Sequence, residues 1–134
     1  MTRNQALDAV SALEHRCGLV LSCSDWHVLE VPGGVAMSHE SISALAVAAS
    51  KYSDTKAVAY EMESVNQDFD PVEVEISDDG MRQLRTMMIS HFDLLLVPES
   101  RRWVVLLSNE MESIFFGPEK FLADFTIKQR HGSE

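Results

Sequence analysis

Apolar positions along this chain recur in two periods, and the densest of them lie between Phe92 and Phe125. Phe92–Val97, broken only by Asp93, and Trp103–Leu107 are apolar runs, split by Pro98-Glu99-Ser100 and ended by Ser108-Asn109-Glu110. They predict two strands joined by a turn, with Ile114–Phe116 closing a meander. Because Trp103–Leu107 does not alternate with polar residues, both of its faces are predicted to be covered, which puts this strand inside a sheet. Gly117 and Pro118 then read as the N-cap and first position of a helix, with Glu119 in the first turn, where the helix dipole favours a negative charge. Phe121, Leu122 and Phe125 follow at helical spacing and are predicted to face inward.

The amino-terminal half carries weaker versions of the same signals. Thr2 and Gln5 fit a capping box, and Ala6, Ala9, Val10, Leu13 and Cys17 share one helical face before Gly18 ends the pattern. Leu19–Leu21 and Trp26–Val31 are β-prone runs flanking Ser22-Cys23-Ser24-Asp25, read as a hairpin in preference to one bulged strand. After the turn at Pro32-Gly33-Gly34, a second helix is predicted from about Ser38, with Glu40 in its first turn and Ile42, Leu45, Ala46 and Ala49 as its inner stripe. Its other positions are mostly serine and alanine, small enough for close approach to a neighbouring element.

Two alternating segments come next. Val58, Tyr60 and Met62 alternate with Ala59, Glu61 and Glu63, and Val72, Val74 and Ile76 alternate with Glu73 and Glu75. Each predicts a half-buried strand with its valines inward, the pair joined by a long hairpin loop over Val65–Pro71. Ser77 caps a third helix, with Asp78 and Asp79 in its first turn and Met81, Leu84 and Met88 inward. Together the elements predict one α+β domain over residues 1–134, a mixed, mainly antiparallel sheet of five to seven strands with three or four helices.

Charge changes this picture in one place. The 134 residues carry 21 acidic and 11 basic side chains, a formal net charge of −10. Nine of the acidic residues fall between Asp54 and Asp79 (Asp54, Glu61, Glu63, Asp68, Asp70, Glu73, Glu75, Asp78 and Asp79), against the single base Lys56. That balance argues against nucleic acid or an anionic membrane as a partner and leaves a basic protein, a cation or simple solubility. If the two alternating strands pair, Glu61, Glu63, Glu73 and Glu75 are expected on one outward face, where like charges repel at ~5 Å. With Asp68 and Asp70 of the loop they form the predicted partner-binding surface.

Other chemistry is thin. The segment MTRNQALDAV lacks the apolar core of a signal peptide, and no apolar run approaches the ~20 residues that span a bilayer, so a cytoplasmic location is expected. Cys17 and Cys23 have no second cysteine pair to complete a zinc site and are read as reduced core residues. Asp68, Asp70, Asp78 and Asp79 do not follow the spacing of a helix–loop–helix calcium site, and neither a metal nor a cofactor is predicted. Asp25 and His27 at a strand start and His39 at a helix start offer an acid–base set for a small hydrolase, the alternative function, without a nucleophile motif to support it. Arg101-Arg102 at a hairpin tip beside Trp103 is a charged turn that suits either an anion or a buried tryptophan.

In size, acidity and layout over the whole chain, this sequence resembles the bacterial immunity proteins that neutralise the toxins of neighbouring cells. The resemblance implies a binding protein that occludes the active site or substrate groove of a basic, nuclease-type toxin domain, with carboxylates standing where phosphates would bind. Acidic secretion chaperones are similar in size and charge, but the chain lacks their repeated leucine pattern.

Overall fold

A computed structural model describes residues 8, 11, 14, 15, 26–32, 38–61, 72–87, 94–107 and 112–132. Six strands form one sheet: β1 (His27–Pro32), β2 (Lys56–Glu61), β3 (Val72–Glu75), β4 (Leu94–Pro98), β5 (Val104–Leu107) and β6 (Glu112–Gly117). Three helices, α1 (His39–Ser50), α2 (Asp78–Met87) and α3 (Glu119–Gly132), complete an α+β domain. Helical backbone also occurs at Asp8, Ser11, Glu14 and His15, within the first predicted helix; its inner positions and the Leu19–Leu21 strand lie outside the described residues.

The strand order is β1-β6-β5-β4-β2-β3, and every neighbouring pair is antiparallel. No parallel pair occurs among the described strands. β5 sits between β6 and β4, as the unbroken apolar run requires. All five positions of β4 and all four of β5 are buried, so the sheet centre is covered on both faces. One face carries Ala59, Leu96, Val105 and Phe115 in a cross-strand row beneath the helices. The other carries Tyr60, Leu95, Leu106 and Ile114 in register, and Trp26 and Val28 join this second cluster.

α1 and α2 begin where the sequence places them. Ser38 is extended (φ −66°, ψ 158°), and its hydroxyl accepts from Ser41 N–H at 3.2 Å. α1 then buries Ile42, Ala44, Leu45, Ala48 and Ala49 against α3 and the sheet, whereas Ala46, predicted on the inner stripe, is only half-buried. Ser77 caps α2 by accepting from Gly80 N–H at 3.1 Å, and Met81 and Leu84 are buried beneath it. α3 starts one residue later than predicted, with the Pro118 carbonyl accepting the first helical bond from Leu122 N–H at 3.2 Å. Its Phe125 packs on Phe115 at a ring separation of 4.3 Å. Gly117 makes the β6-to-α3 corner possible: a β-carbon there would stand 2.9 Å from Phe121 Cδ1 and 3.1 Å from Trp103 Cβ.

One expectation about β2 is overturned. Ala57 and Ala59 are buried under the helices, whereas Val58 and Tyr60 lie on the opposite face and are half-buried. Alternation gives the period of a strand but not its polarity, and here small alanines suit the helix side. The second face, also apolar at β4 and β5, receives the tyrosine. Val74 and Ile76 of the partner segment are buried as predicted.

Candidate functional site

β2, β3 and the start of α2 hold the acidic segment, and the strand register decides how its charges are arranged. Lys56 pairs with Glu75, Val58 with Glu73 and Ala59 with Val72. Glu73 and Glu75 therefore share a face with Lys56 and Val58, and both are exposed. Glu61 falls on the opposite strand parity, in step with Ala57 and Ala59, and pairs with Leu94 of β4. The expected alignment of Glu61 with Glu73 and Glu75 on one face is not formed. Glu63, Asp68 and Asp70 lie outside the described residues.

Backbone geometry limits what this edge of the sheet offers. Ile76 N–H donates to the Thr55 carbonyl at 2.9 Å, so antiparallel alternation turns the backbone of Val74 and Val72 toward β2 and that of Glu73 and Glu75 outward. At Glu75 the outward side is closed by α2: a β-carbon on Gly80 would stand 2.0 Å from the Glu75 carbonyl oxygen. Among the described residues only the backbone of Glu73 is left outward along β3, beside an exposed carboxylate, so the edge is protected against strand addition by shortness, charge and a covering helix. Replacing Gly80 with alanine is expected to cost about 2 kcal/mol from overpacking, although alanine favours helix by ~1 kcal/mol. Urea denaturation checks this, and a stabilised variant would show that α2 does not close the edge.

Two concave regions meet at Lys56, whose Nζ lies 3.6 Å from Glu73 Oε1. The first, about 390 Å³, runs along the β3–α2 rim and is lined by Lys56, Glu73, Val74, Glu75, Asp79, Gly80 and Gln83. Three carboxylates face one ammonium there. Among the described residues Glu75 has no ion pair, and Asp79 has a weak surface contact with Arg82 at 3.5 Å.

The second, about 350 Å³, lies between the α1–β2 turn and the β4–β5 turn. Val58, Tyr60 and Val97 supply its apolar lining, and Asp54, Lys56, Glu73, Glu99 and Arg101 its charged positions. Asp54 fastens these two turns together. It is only 4% exposed, and its Oδ1 accepts from Ser100 N–H at 3.1 Å, while Oδ2 accepts from Ser100 Oγ at 2.5 Å and from Trp103 Nε1 at 3.0 Å. Trp103 stacks on Phe121 at 5.1 Å, Phe121 meets Tyr52 at 6.1 Å, and the Arg102 guanidinium sits 5.9 Å over the Tyr52 ring. Arg102 thus serves the packing of the turn. Asp54 counts toward surface charge in the sequence, but in the fold it is a core clamp.

The alternative catalytic set does not assemble. His39 Nδ1 lies 2.6 Å from Asp78 Oδ2, joining the start of α1 to the start of α2 just beyond β3. His27 is exposed on β1, at the opposite sheet edge from β3, a separation of five strand spacings or roughly 24 Å. Asp25 lies outside the described residues. Among the described residues no three His, Cys, Asp or Glu side chains are grouped to hold a metal ion, and no helix is long and apolar enough to cross a membrane. Comparison with family models, with curated proteins and with solved structures finds no match to this chain.

Proposed function

We propose that this chain is a small acidic binding protein whose β3–α2 rim docks on a basic protein surface. The resemblance to immunity proteins makes a nuclease-type toxin domain the intended partner. The observation that carries the reading is the exposed groove in which Glu73, Glu75 and Asp79 outnumber Lys56. Carboxylates fixed on a strand and a helix start, within a chain of net charge −10, attract a basic partner over distance and orient it on encounter. On a nuclease they would fill positions that phosphates otherwise take, which blocks the active site without any chemistry by this chain. Glu63, Asp68 and Asp70 belong to the same acidic segment and extend the surface in this reading, whereas Glu61 lies on the other strand parity and is peripheral to it.

The test is the triple variant Glu73→Gln, Glu75→Gln, Asp79→Asn, assayed for association with a nuclease-type toxin domain encoded beside it. Association at low salt is expected to slow by about tenfold or more, with a flatter salt dependence, while thermal stability holds or rises slightly as repulsion is relieved. Equal association rates at low and high salt for variant and parent would return these carboxylates to the role of a solvated face.

A further inference from the structure

We infer that the groove between the α1–β2 and β4–β5 turns is a second binding site, one that takes an organic carboxylate carried on an apolar or aromatic body. Arg101 recognises the carboxylate, and Val58, Tyr60 and Val97 receive the body. The groove shares Lys56 and Glu73 with the acidic rim, but the inference does not rest on the partner proposed for that rim. At about 350 Å³ the groove falls in the range of small-ligand sites.

Arg101 is the uncommitted cation of this end of the molecule. Arg102 lies over Tyr52, Lys56 contacts Glu73 and Lys51 reaches Asp124 at 3.9 Å, but among the described residues the Arg101 guanidinium has no ion pair and no hydrogen bond. Its backbone is nonetheless fixed. Arg101 is left-handed (φ 55°), its N–H donates to the Pro98 carbonyl at 3.1 Å, and the preceding Ser100 is gripped twice by buried Asp54. Ser53, the other non-glycine residue with positive φ among those described (φ 62°), lines the same groove. Left-handed non-glycine residues persist where the surroundings over-determine them, and they concentrate at ligand clamps.

The ligand class follows from the groups present. A planar guanidinium on a rigid turn binds a carboxylate through two parallel hydrogen bonds. Phosphate offers a similar geometry but a higher charge, and Asp54, Glu73 and Glu99 on the same groove oppose a dianion more than a monoanion. Tyr60 and the two valines favour an acid with an apolar or aryl group over a fully polar one. Such a carboxylate comes either from a free small acid or from the C-terminus of a peptide ending in an apolar residue.

A ¹H–¹⁵N titration of the intact chain tests this, following the amides of Val58, Tyr60, Val97 and Arg101. The probes are phenylacetate, its neutral amide, inorganic phosphate, and a short peptide ending in phenylalanine as free acid and as amide. Saturable shifts confined to the groove are expected with the acids and not with the amides or phosphate. Arg101→Gln, an exposed substitution expected to leave the melting temperature unchanged, should weaken acid binding about ten- to a hundredfold. Tighter binding of the peptide acid than of phenylacetate would assign the site to a chain terminus, and the reverse order to a free acid. Absence of saturation by either acid, equal binding by Arg101→Gln, or phosphate binding as tightly as the acids would overturn the inference.

Discussion

Replacing Trp103 with alanine is expected to lower the unfolding free energy by about 4 kcal/mol, the middle of the range for removing a large aromatic from a core. For a chain of this length, that corresponds to a fall of roughly 12–16 °C in melting temperature. The size of the effect comes from how many elements meet on one side chain. Trp103 is fully buried just before β5, stacks on Phe121 of α3 at an interplanar angle of 11°, and donates from Nε1 to Asp54 in the turn before β2. Gly117 at the end of β6 leaves room for it, since any β-carbon there would press on both Trp103 and Phe121. Trp103→Ala therefore removes ring packing and strands a buried carboxylate without one of its donors. Trp103→Phe keeps most of the ring contact and loses the donor alone, so it should cost about 1–2 kcal/mol. Urea denaturation followed by far-ultraviolet circular dichroism measures both. A loss below about 1 kcal/mol for Trp103→Ala would mean that the α3–sheet interface does not depend on this stack.

Much of this architecture is legible in the sequence because burial on two faces leaves a distinctive trace. Leu94–Val97 and Val104–Leu107 are apolar without interruption, and only interior strands of a covered sheet can bury every residue of such a run. Helix starts are equally readable, since Ser38 and Ser77 satisfy N–H groups that have no partner within the helix. The faces of β2 are not readable in this way. The alternation of Val58 and Tyr60 with Ala57 and Ala59 fits either polarity, and the choice depends on which neighbour, helix layer or second apolar cluster, has room for a large side chain. Register is hidden for a related reason: whether Glu75 faces Lys56 or another glutamate depends on the length and path of the connection between β2 and β3. The acidic surface was thus half legible, with Glu73 and Glu75 outward as expected and Glu61 on the other parity.

The roles of Asp54 and His39 are hidden from the sequence for the same reason. Asp54 finds its partners 46 and 49 residues away, and His39 meets Asp78 at a separation of 39, so no local spacing announces either contact. In the sequence Asp54 begins a run of acidic positions. In the fold it is separated from the others in kind, since burial of a carboxylate is tolerable only when hydrogen-bond donors replace its water. Ser100 and Trp103 provide those donors, and no buried side-chain nitrogen or oxygen among the described residues lacks a partner.

Asp54→Ala is accordingly expected to cost about 3 kcal/mol, because it leaves the Trp103 and Ser100 N–H groups unsatisfied in places that water reaches poorly. Asn is not a neutral replacement. Both carboxylate oxygens accept, from Ser100 N–H at Oδ1 and from Ser100 Oγ and Trp103 Nε1 at Oδ2, so an amide nitrogen in either place faces at least one N–H donor. Asp54→Asn should lose about 1–3 kcal/mol, and it tests charge and acceptor count with the side-chain volume held fixed. Combining Asp54→Ala with Trp103→Phe isolates the bond between the two residues. If that bond carries the stabilisation, the double variant should be less destabilised than the sum of the singles by about 1 kcal/mol or more. Strict additivity would reduce the 3.0 Å contact to a by-product of packing. The same substitution separates the two surfaces of the molecule. Loss of the grip on Ser100 frees the Arg101 turn, so Asp54→Ala should weaken phenylacetate binding, while association through Glu73, Glu75 and Asp79, which sit on β3 and α2, should keep its rate and its salt dependence.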